Sequence, residues 1–414
     1  MCQTKANGGK RCAGADRRAR RKKKKEAVYQ QHLATVEKTG IPTLGLIAPQ
    51  DFFDEAVKNG EITATKSREF PEITVYNYTN DSHYAQNWNE VTNVARGLIV
   101  NTETGEILGR PFTKFFNNED PNPHNDFPRT GRIEVMDKKD GSMGVLYPKP
   151  DGTMGVATRG STNSEQAQHA TKVYNERYAG TWEPNPNHTY LYEIIYPQNQ
   201  IVLDYGETDD IVMLGAIDKK TGASVEWDEI EKTGWNGPVV EKYEYDSFTD
   251  VIKDAKAGGD NREGFVVHFR DHDKRVKLKF EEYLKLHKTM FALSPLRVWE
   301  SLEKGEDVSK WASQVPDEFY ADIDRTANEL KTKYGTYEKE ARRIHGEITS
   351  SMPKGYDRKD LAMKVKDYTS KSKNPMFSPG DIMGVVTSLE NKSQDVQFPK
   401  MFWKKIRPDG RSRF

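Results

Sequence analysis

One lysine in this 414-residue chain lies in a setting that suits nucleophilic chemistry. Lys138 opens the string K-K-D-G-S at positions 138–142, between two segments with strand-like patterns. A lysine amine attacks only when it is neutral, and at a pKa of about 10.4 roughly one free lysine in a thousand is neutral at pH 7. Neighbouring cations would lower that pKa and hold a phosphorylated substrate. The alternative interpretation is an Asp-Gly turn with a surface lysine.

Two glutamates downstream could serve the same chemistry. Glu193 lies in the run 189–196, whose alternation places it on a strand face with apolar neighbours. A carboxylate in such a position is costly unless it has a partner. Glu263 opens another strand-like run, and Gly264 after it has no side chain to block the close approach of a ligand. Taken singly, each of these residues is more often structural than functional.

Two further lysines share one face of a later strand. In the run 275–280, charged and apolar residues alternate, so Lys277 and Lys279 point to the side opposite Leu278. Two ammonium groups on one face suit a polyphosphate. Only as an ordered series, with Lys138 and the two glutamates, do these residues point to a functional site.

The elements that must position this series are short strands between about residues 40 and 290. A hairpin turn is predicted at Asp151-Gly152, and a helix over 164–178 with a cap at one of residues 161–163. From about residue 295 the pattern becomes helical, and a stripe spaced alternately by four and three residues runs from Phe319 to Ile348, with a break or bend at Gly335. We therefore expect an α+β fold of antiparallel sheets with flanking helices, followed by an all-α domain.

The charge distribution marks a separate N-terminal arm. Residues 1–25 contain eleven Lys or Arg residues and one Asp, so they carry +10, and the remainder carries −10 because the chain is neutral overall. Such a segment cannot bury apolar surface and is expected to be disordered alone. We expect a basic, largely disordered arm with a short helix over 1–38, an α+β domain over 39–293, and a helical domain over 294–414. Contact of the arm with a polyanion and a merely solvated tail remain alternatives, and deletion of 1–25 tests them through RNA affinity and its salt dependence.

Composition excludes several classes of protein. The only cysteines are Cys2 and Cys12, so neither a disulfide framework nor a Cys/His zinc site is expected. No apolar run approaches the roughly 18–20 residues that span a bilayer, and the first residues are too polar for a secretory signal. We expect no membrane association and a cytoplasmic location, which would be the host cytoplasm for a viral protein.

The ordered series resembles the bacteriophage RNA ligase 1 family, within the covalent nucleotidyltransferases that include ligases and mRNA capping enzymes. The resemblance covers about residues 75–293 and continues more weakly into the helical region. The K-x-D-G string is less diagnostic of this family than R-P-x-x-K-F-F-N at 110–117 and N-x-I-V-L at 199–203. The resemblance implies that residues 39–293 form a ligase-type adenylyltransferase domain in which Lys138 becomes linked to AMP. It also implies that the helical domain over 294–414 provides RNA substrate specificity.

The resemblance also implies roles for other residues. The ATP-binding residues would be Tyr76, Arg96, Lys114, Phe116, Gly141, Glu193, Glu263, Gly264, Lys277 and Lys279. Glu193 would also hold Mg²⁺, with Mn²⁺ as an alternative ion, and Asp307 is a candidate ligand for a second metal. Arg159 would contact RNA or act in one step; family members can carry lysine there, and a basic position two residues earlier is Ala157 here. These departures put step-specific roles around this loop in question.

The implied function is that of an ATP-dependent RNA ligase. AMP would pass from ATP to Lys138, then to an RNA 5′-phosphate, and would leave when a 3′-hydroxyl attacks. The expected partner is RNA, as single-stranded ends or a nicked tRNA loop in RNA repair, and the expected state is a monomer. The alternatives are a capping enzyme or DNA ligase, which carry an OB-type barrel where this chain has helical periodicity, and a non-enzymatic RNA-binding protein.

Overall fold

The computed structural model describes residues 8–259, 261–290, 293–312, 315, 319–390 and 400–408, with side chains from residue 19 onward except at 84, 290, 310 and 400. The chain divides into two compact units, Met1–Leu286 and His287–Phe414. Among the described residues, no helix combines the length and the apolar character needed to cross a membrane.

The described residues of the first unit form thirteen strands and the helices that precede and separate them. The strands are β1 (Ile62–Lys66), β2 (Ile73–Tyr78), β3 (Arg96–Asn101), β4 (Ile107–Gly109), β5 (Phe116–Asn117), β6 (Ile133–Asp137), β7 (Ser142–Pro148), β8 (Met154–Thr158), β9 (His188–Ile195), β10 (Asp210–Asp218), β11 (Lys242–Tyr243), β12 (Gly264–Phe269) and β13 (Lys274–Lys279). The helices are α1 (Gly8–Thr39), α2 (Gln50–Lys58), α3 (Asn80–Tyr84), α4 (Glu165–Arg177), α5 (Trp227–Lys232) and α6 (Phe248–Ala257), and α7 (Glu281–Met290) runs across the division.

Two antiparallel sheets pack face to face. One has the order β1-β2-β3-β4 and the other β10-β9-β7-β8. Alternation along β2 and β3 turns Val75 and Ile99 toward Val145 and Leu191 of the second sheet, and all four are fully buried. The opposite face of β1–β4 packs on α2. Burial on both faces explains why β2 and β3 are almost continuously apolar.

The third sheet has the order β11-β6-β12-β13-β5, and among the described pairs only β13 with β5 is parallel. Its core contains Phe265, Val267, Val276 and Leu278. The chain passes from this sheet to the second one between the end of β6 and the start of β7, in residues 138–141. The K-x-D-G string is therefore the connection between two sheets.

The described part of the second unit is helical and contains no strand. Its helices are α8 (Pro295–Glu303), α9 (Val308–Ala312), α10 (Tyr320–Thr349), α11 (Arg358–Lys371), α12 (Pro379–Glu390) and α13 (Lys400–Lys405). The predicted apolar stripe lies on α10, where it is buried at Ile323, Leu330, Ile344 and Ile348. The helix continues through Gly335 without the predicted break.

The predicted fold class is confirmed: antiparallel sheets with flanking helices are followed by helices alone. The hairpin lies where Asp151-Gly152 predicted it, with Gly152 at φ +83°. The predicted cap of α4 was wrong by one residue, because the Ser164 hydroxyl accepts the hydrogen bond from the Ala167 backbone N–H. The division after Leu286 falls before the predicted boundary at 293, and the RNA specificity predicted for the second unit stays a prediction.

The N-terminal arm differs from the prediction. A short helix after a largely disordered segment was expected, whereas α1 is one helix from Gly8 to Thr39; residues 1–7 of the predicted arm lie outside the described residues. Arg, Lys and Ala are strong helix formers. The mutual repulsion of the basic residues is offset where the Arg21 guanidinium pairs with Glu55 and Glu90.

Candidate active site

Lys138 lies at the end of β6, fixed to the start of β12. Its backbone N–H donates a hydrogen bond to the Gly264 carbonyl (2.9 Å). Its Nζ is 2.6 Å from Oε1 of Glu263, and Lys279 Nζ lies 3.6 Å from the same oxygen. The Lys138 side chain is 21% exposed and that of Glu263 4%. The amine is therefore reachable from solvent and paired with a buried carboxylate.

Asp140 fixes the connection between the sheets from the other side. Its Oδ2 accepts hydrogen bonds from the backbone N–H groups of Val202 and Leu203, both at 2.9 Å, and its Oδ1 accepts one from the Tyr283 hydroxyl at 2.9 Å. Its own backbone N–H donates to the Tyr205 hydroxyl (2.9 Å). Asp140 is buried, so these bonds hold the turn that presents Lys138. The sequence did not identify this positioning role, although it did identify the string at 199–203 that supplies the two N–H groups.

We expect Asp140→Asn to slow formation of a lysyl adduct about tenfold and to lower the free energy of unfolding by about 1–2 kcal/mol. The amide oxygen can keep the bonds from Val202 and Leu203 only as bonds to a neutral acceptor, and bonds to charged and neutral acceptors differ by roughly 1 kcal/mol. The NH₂ group cannot accept, so the Tyr283 hydroxyl must turn to accept from it. Urea unfolding and a rate of label incorporation from ATP measure the two effects. Asp151→Asn, which makes the same charge change in an exposed turn, is the control. Equal behaviour of the two variants would contradict the positioning role.

Both predicted glycines are required by close contact between strands. An ideal Cβ at Gly141 would lie 2.6 Å from the Ile194 carbonyl oxygen, and one at Gly264 would lie 2.0 Å from that of Leu278. Gly264 also has φ +149°, which L-residues with side chains rarely adopt. The sequence had explained these glycines by the approach of a nucleotide, whereas the structure gives a packing reason.

Glu193 lies on β9, opposite Met143 of β7. Its pKa is raised to about 8, chiefly because the surrounding protein removes it from water; Glu263 and Asp140 raise it further, while Lys138 and Arg96 lower it. The side chain remains partly accessible to solvent. Burial disfavours the charged form of this carboxyl, and a cation bound beside it would offset that cost.

Two predicted basic residues not yet placed, Lys277 and Arg96, also lie near this group. Lys277 and Lys279 pair with Val266 and Gly264 of β12, on the face opposite the buried Leu278, as the alternation predicted. Arg96 lies near Glu193, and its Nη1 is 3.2 Å from Met143 Sδ. The structure thus gathers Lys138, Arg96, Glu193, Glu263, Lys277 and Lys279 where β3, β6, β9, β12 and β13 meet.

Lys114 lies within a group of aromatic rings that the sequence did not predict. Its Nζ is 5.4 Å from the ring centre of Tyr78, 5.0 Å from that of Trp88 and 5.4 Å from that of Phe116. An ammonium group over aromatic faces is stabilised electrostatically. Arg159 joins this group, because its Nη1 donates to the Tyr78 hydroxyl (3.2 Å). Lys114 and Phe116 lie in the string at 110–117, but Tyr78, Trp88 and Arg159 are distant from it in sequence, so no local pattern indicated the cluster.

Three other predicted positions have different surroundings. Tyr76 is buried on the sheet face toward α2, with its ring 5.2 Å from that of Phe53, and burial raises its pKa. Ala157 is buried between the two packed sheets, where a basic side chain could not stay in water. Asp307 belongs to the second unit, is exposed, and accepts a hydrogen bond from the Ser309 backbone N–H (3.0 Å). The roles predicted for Tyr76 and Asp307 stay predictions.

The described residues contain no group of three or more His, Cys, Asp or Glu side chains arranged to hold a metal ion. Carboxylate and phosphate oxygens together suit Mg²⁺, which keeps several non-protein ligands.

Comparison with known proteins shows a family to which part of the chain is similar. Residues 94–284 match the family model described as RNA ligase, which confirms the predicted resemblance to the RNA ligase 1 family over that segment. A polynucleotide kinase/RNA ligase described as bifunctional, from Autographa californica nuclear polyhedrosis virus, is 26% identical over 51% of this chain and 33% of its own length. An RNA ligase of Thermovibrio ammonificans is 25% identical over 46% of this chain and 52% of its own length. The chain thus spans about half or less of each of these relatives.

Solved structures resemble the chain more distantly. An archaeal ATP-dependent RNA ligase has a TM-score of 0.41 at 13% identity, over 86% of this chain and 89% of that one. Naegleria gruberi RNA ligase with PPi has a TM-score of 0.31 at 21% identity, over 38% of this chain and 52% of that one.

Proposed function

We propose that this chain, whose residues 94–284 match the RNA ligase family, is an ATP-dependent RNA ligase that joins 5′-phosphate and 3′-hydroxyl ends of RNA. The observation that carries the proposal is the Lys138 amine, held 2.6 Å from Glu263 at the junction of two sheets and accompanied by Lys279 and Arg96. RNA repair, with a nicked tRNA loop as one substrate, is part of this proposal.

In the first step Lys138 Nζ attacks the α-phosphorus of ATP. The N–P bond forms while the bond from that phosphorus to the bridging oxygen breaks, and pyrophosphate leaves with the electron pair. The amine must lose its proton to attack. Glu263 Oε1, at 2.6 Å, is the group placed to accept that proton.

The remaining cations would act on the phosphates. Lys277, Lys279 and Arg96 would hold the triphosphate and offset the negative charge that grows on the leaving oxygens. Lys114 and Phe116 would bind the nucleotide from the aromatic group described above. Arg159, linked to that group through Tyr78, would contact the RNA end in the later steps.

A divalent cation fits beside Glu193. Burial raises the pKa of this carboxyl although Lys138 and Arg96 lower it, so a bound cation would stabilise its charged form. Glu193 with Glu263 would hold Mg²⁺, or Mn²⁺ in its place, together with phosphate oxygens and water. Such an ion supplies charge neutralisation at the phosphates.

In the second step an oxygen of the RNA 5′-phosphate attacks the adenylyl phosphorus and the N–P bond to Lys138 breaks, which returns the amine. In the third step the 3′-hydroxyl oxygen attacks the 5′-phosphorus of the adenylated end. A phosphodiester forms and AMP leaves.

Incubation of the chain with α-labelled ATP and Mg²⁺ tests the proposal. We expect a covalent protein–AMP adduct that peptide mapping places on Lys138, and transfer of the label to RNA carrying a 5′-phosphate. Label from GTP instead of ATP would indicate a capping enzyme, and sealing of nicked duplex DNA alone would indicate a DNA ligase. RNA binding without any adduct would overturn the enzymatic function. A panel of single-stranded ends and nicked tRNA loops then identifies the substrate.

A further inference from the structure

Helix α1 is attached to the first unit along one side. Its less exposed residues recur at helical spacing, at Arg21, Lys25, Val28, His32 and Val36, and Val36 is buried. The His32 ring lies 2.6 Å from the Thr43 hydroxyl, which continues the attachment toward the end of the helix. The opposite side of the helix is therefore turned outward.

Specific charge pairs fix the orientation of α1. Arg21 Nε lies 3.0 Å from Glu90, its guanidinium carbon lies 3.9 Å above the ring of Phe52, and Lys24 Nζ lies 2.6 Å from Asp51. Glu90 and Asp51 are therefore already paired with Arg21 and Lys24, the two basic residues that attach α1 to the unit.

The outward side changes character along the helix. Arg20, Lys22 and Lys23 are exposed within four consecutive positions, and no ion pair is described for any of them among the residues with described side chains. Further along, the exposed positions are mainly neutral or acidic. They are Glu26, Ala27, Gln30, Gln31, Ala34, Thr35, Glu37, Lys38 and Thr39.

We propose that this basic surface, defined by Arg20, Lys22 and Lys23, binds the phosphate backbone of the RNA substrate; the inference rests on the proposed RNA ligase function for the identity of that substrate. Residues 26–414 carry −10, so RNA approaching the chain elsewhere meets net repulsion. A row of cations held in place by an ordered helix reverses that repulsion, and lysine and arginine release counterions from each phosphate that they contact.

The chemistry of the surface favours a nucleic acid over a lipid membrane. A helix that lies on a membrane needs an apolar face directed at the lipid. The exposed positions from 19 to 27 carry charged residues and alanines and no large apolar side chain. The surface therefore suits a polyanion that presents phosphates without an apolar phase.

The surface would affect binding of RNA and leave the nucleotide chemistry unchanged. None of its three residues belongs to the group around Lys138. Loss of the three charges should raise the Kd and KM for RNA, while the rate of adduct formation with ATP alone stays the same.

The test compares two triple variants of the full chain with equal charge change. R20Q/K22Q/K23Q removes the basic surface, and K38Q/K58Q/K66Q removes three exposed lysines elsewhere on the same unit, one of them on α1 itself. Fluorescence anisotropy measures the Kd of a single-stranded 5′-phosphorylated RNA between 50 and 200 mM salt (~20 nucleotides). Adduct formation with labelled ATP is measured in parallel.

We expect the first variant to bind about tenfold more weakly at the lowest salt and to have a shallower slope of log K against log salt by about 2, from three lost contacts at about 0.7 each. The control should match the unmodified chain, and all three proteins should form the adduct at one rate. An equal loss of RNA affinity in both variants, or no loss in either, would contradict the proposed role of the surface. Vesicles of anionic lipid could also compete with the RNA for the unmodified chain but not for R20Q/K22Q/K23Q. That result would show that the surface binds a membrane and would contradict the proposal. Absence of the adduct from all three proteins would refute the ligase function. The comparison of RNA affinities would still test the surface, because it does not depend on adduct formation.

Discussion

Lys138→Ala is expected to form no detectable protein–AMP adduct, a loss of more than about 10³-fold. The variant lacks the nucleophile, and neither Lys277 nor Lys279 can replace it, because both extend from β13 and not from the connection between the sheets. Lys138→Arg should be equally inactive. It retains a positive charge beside Glu263, but a guanidinium stays protonated near neutral pH and cannot attack.

The matched control is Lys139→Ala. The Lys139 ammonium lies 3.0 Å from Asp137 and 3.1 Å from Glu241, so its charge is already paired with carboxylates other than Glu263. Label incorporation should persist in this variant. RNA that already carries a 5′-adenylate should still be sealed by Lys138→Ala, since the third step does not use the lysine as a nucleophile. An adduct in Lys138→Ala, or its loss in Lys139→Ala to the same extent, would contradict the assignment.

Local periodicity of the sequence was sufficient to predict part of the candidate site and the helical character of the second unit. Alternation placed Lys277 and Lys279 on one face because a strand has a period of two, and the apolar stripe identified α10 because a helix has a period near 3.6. Such patterns state which residues share a face. They do not state which of the two faces of a sheet carries the chemistry, and Tyr76 lies on the face that packs against α2.

Other features depended on contacts between distant segments. The partners of Asp140 include the backbone N–H groups of residues 202 and 203, and backbone groups have no signature in the sequence. The extent of α1 was missed for a related reason. Charge repulsion alone favours disorder, and the acids that offset it, Glu55 and Glu90, lie far along the chain.

Glu193→Gln is expected to lower adduct formation by at least about 10²-fold while it stabilises the free protein at alkaline pH. The loss of activity follows because an amide cannot supply the negative charge that would hold a divalent cation. The gain in stability follows because the folded protein holds the Glu193 carboxyl in an environment that disfavours its charge, and its pKa is about 8 against 4.5 in the unfolded chain.

The pH dependence has a definite sign. A carboxyl whose pKa is raised on folding stabilises the protein fully below the pKa of the unfolded chain, and this contribution is lost as the pH rises through the folded pKa. Glutamine resembles the protonated acid at every pH. The difference in stability between the variant and the unmodified protein should therefore be near zero at about pH 4.5, grow between pH 4.5 and 8, and level off above pH 8.

The pKa shift of Glu193 alone limits the stability difference above pH 8 to about 5 kcal/mol, at 1.36 kcal/mol for each pKa unit. We expect about 2 kcal/mol, because water reaches part of the side chain and screens its charge. Urea unfolding at a series of pH values without added metal measures the difference. Glu165→Gln, at an exposed position at the start of α4, is the control and should show no such growth. If added Mg²⁺ and ATP stabilise the unmodified protein above pH 8 but not the variant, the same carboxylate that destabilises the free protein is the one that recruits the cation. A variant that is inactive yet no more stable at pH 9 would show instead that Glu193 is already compensated within the fold.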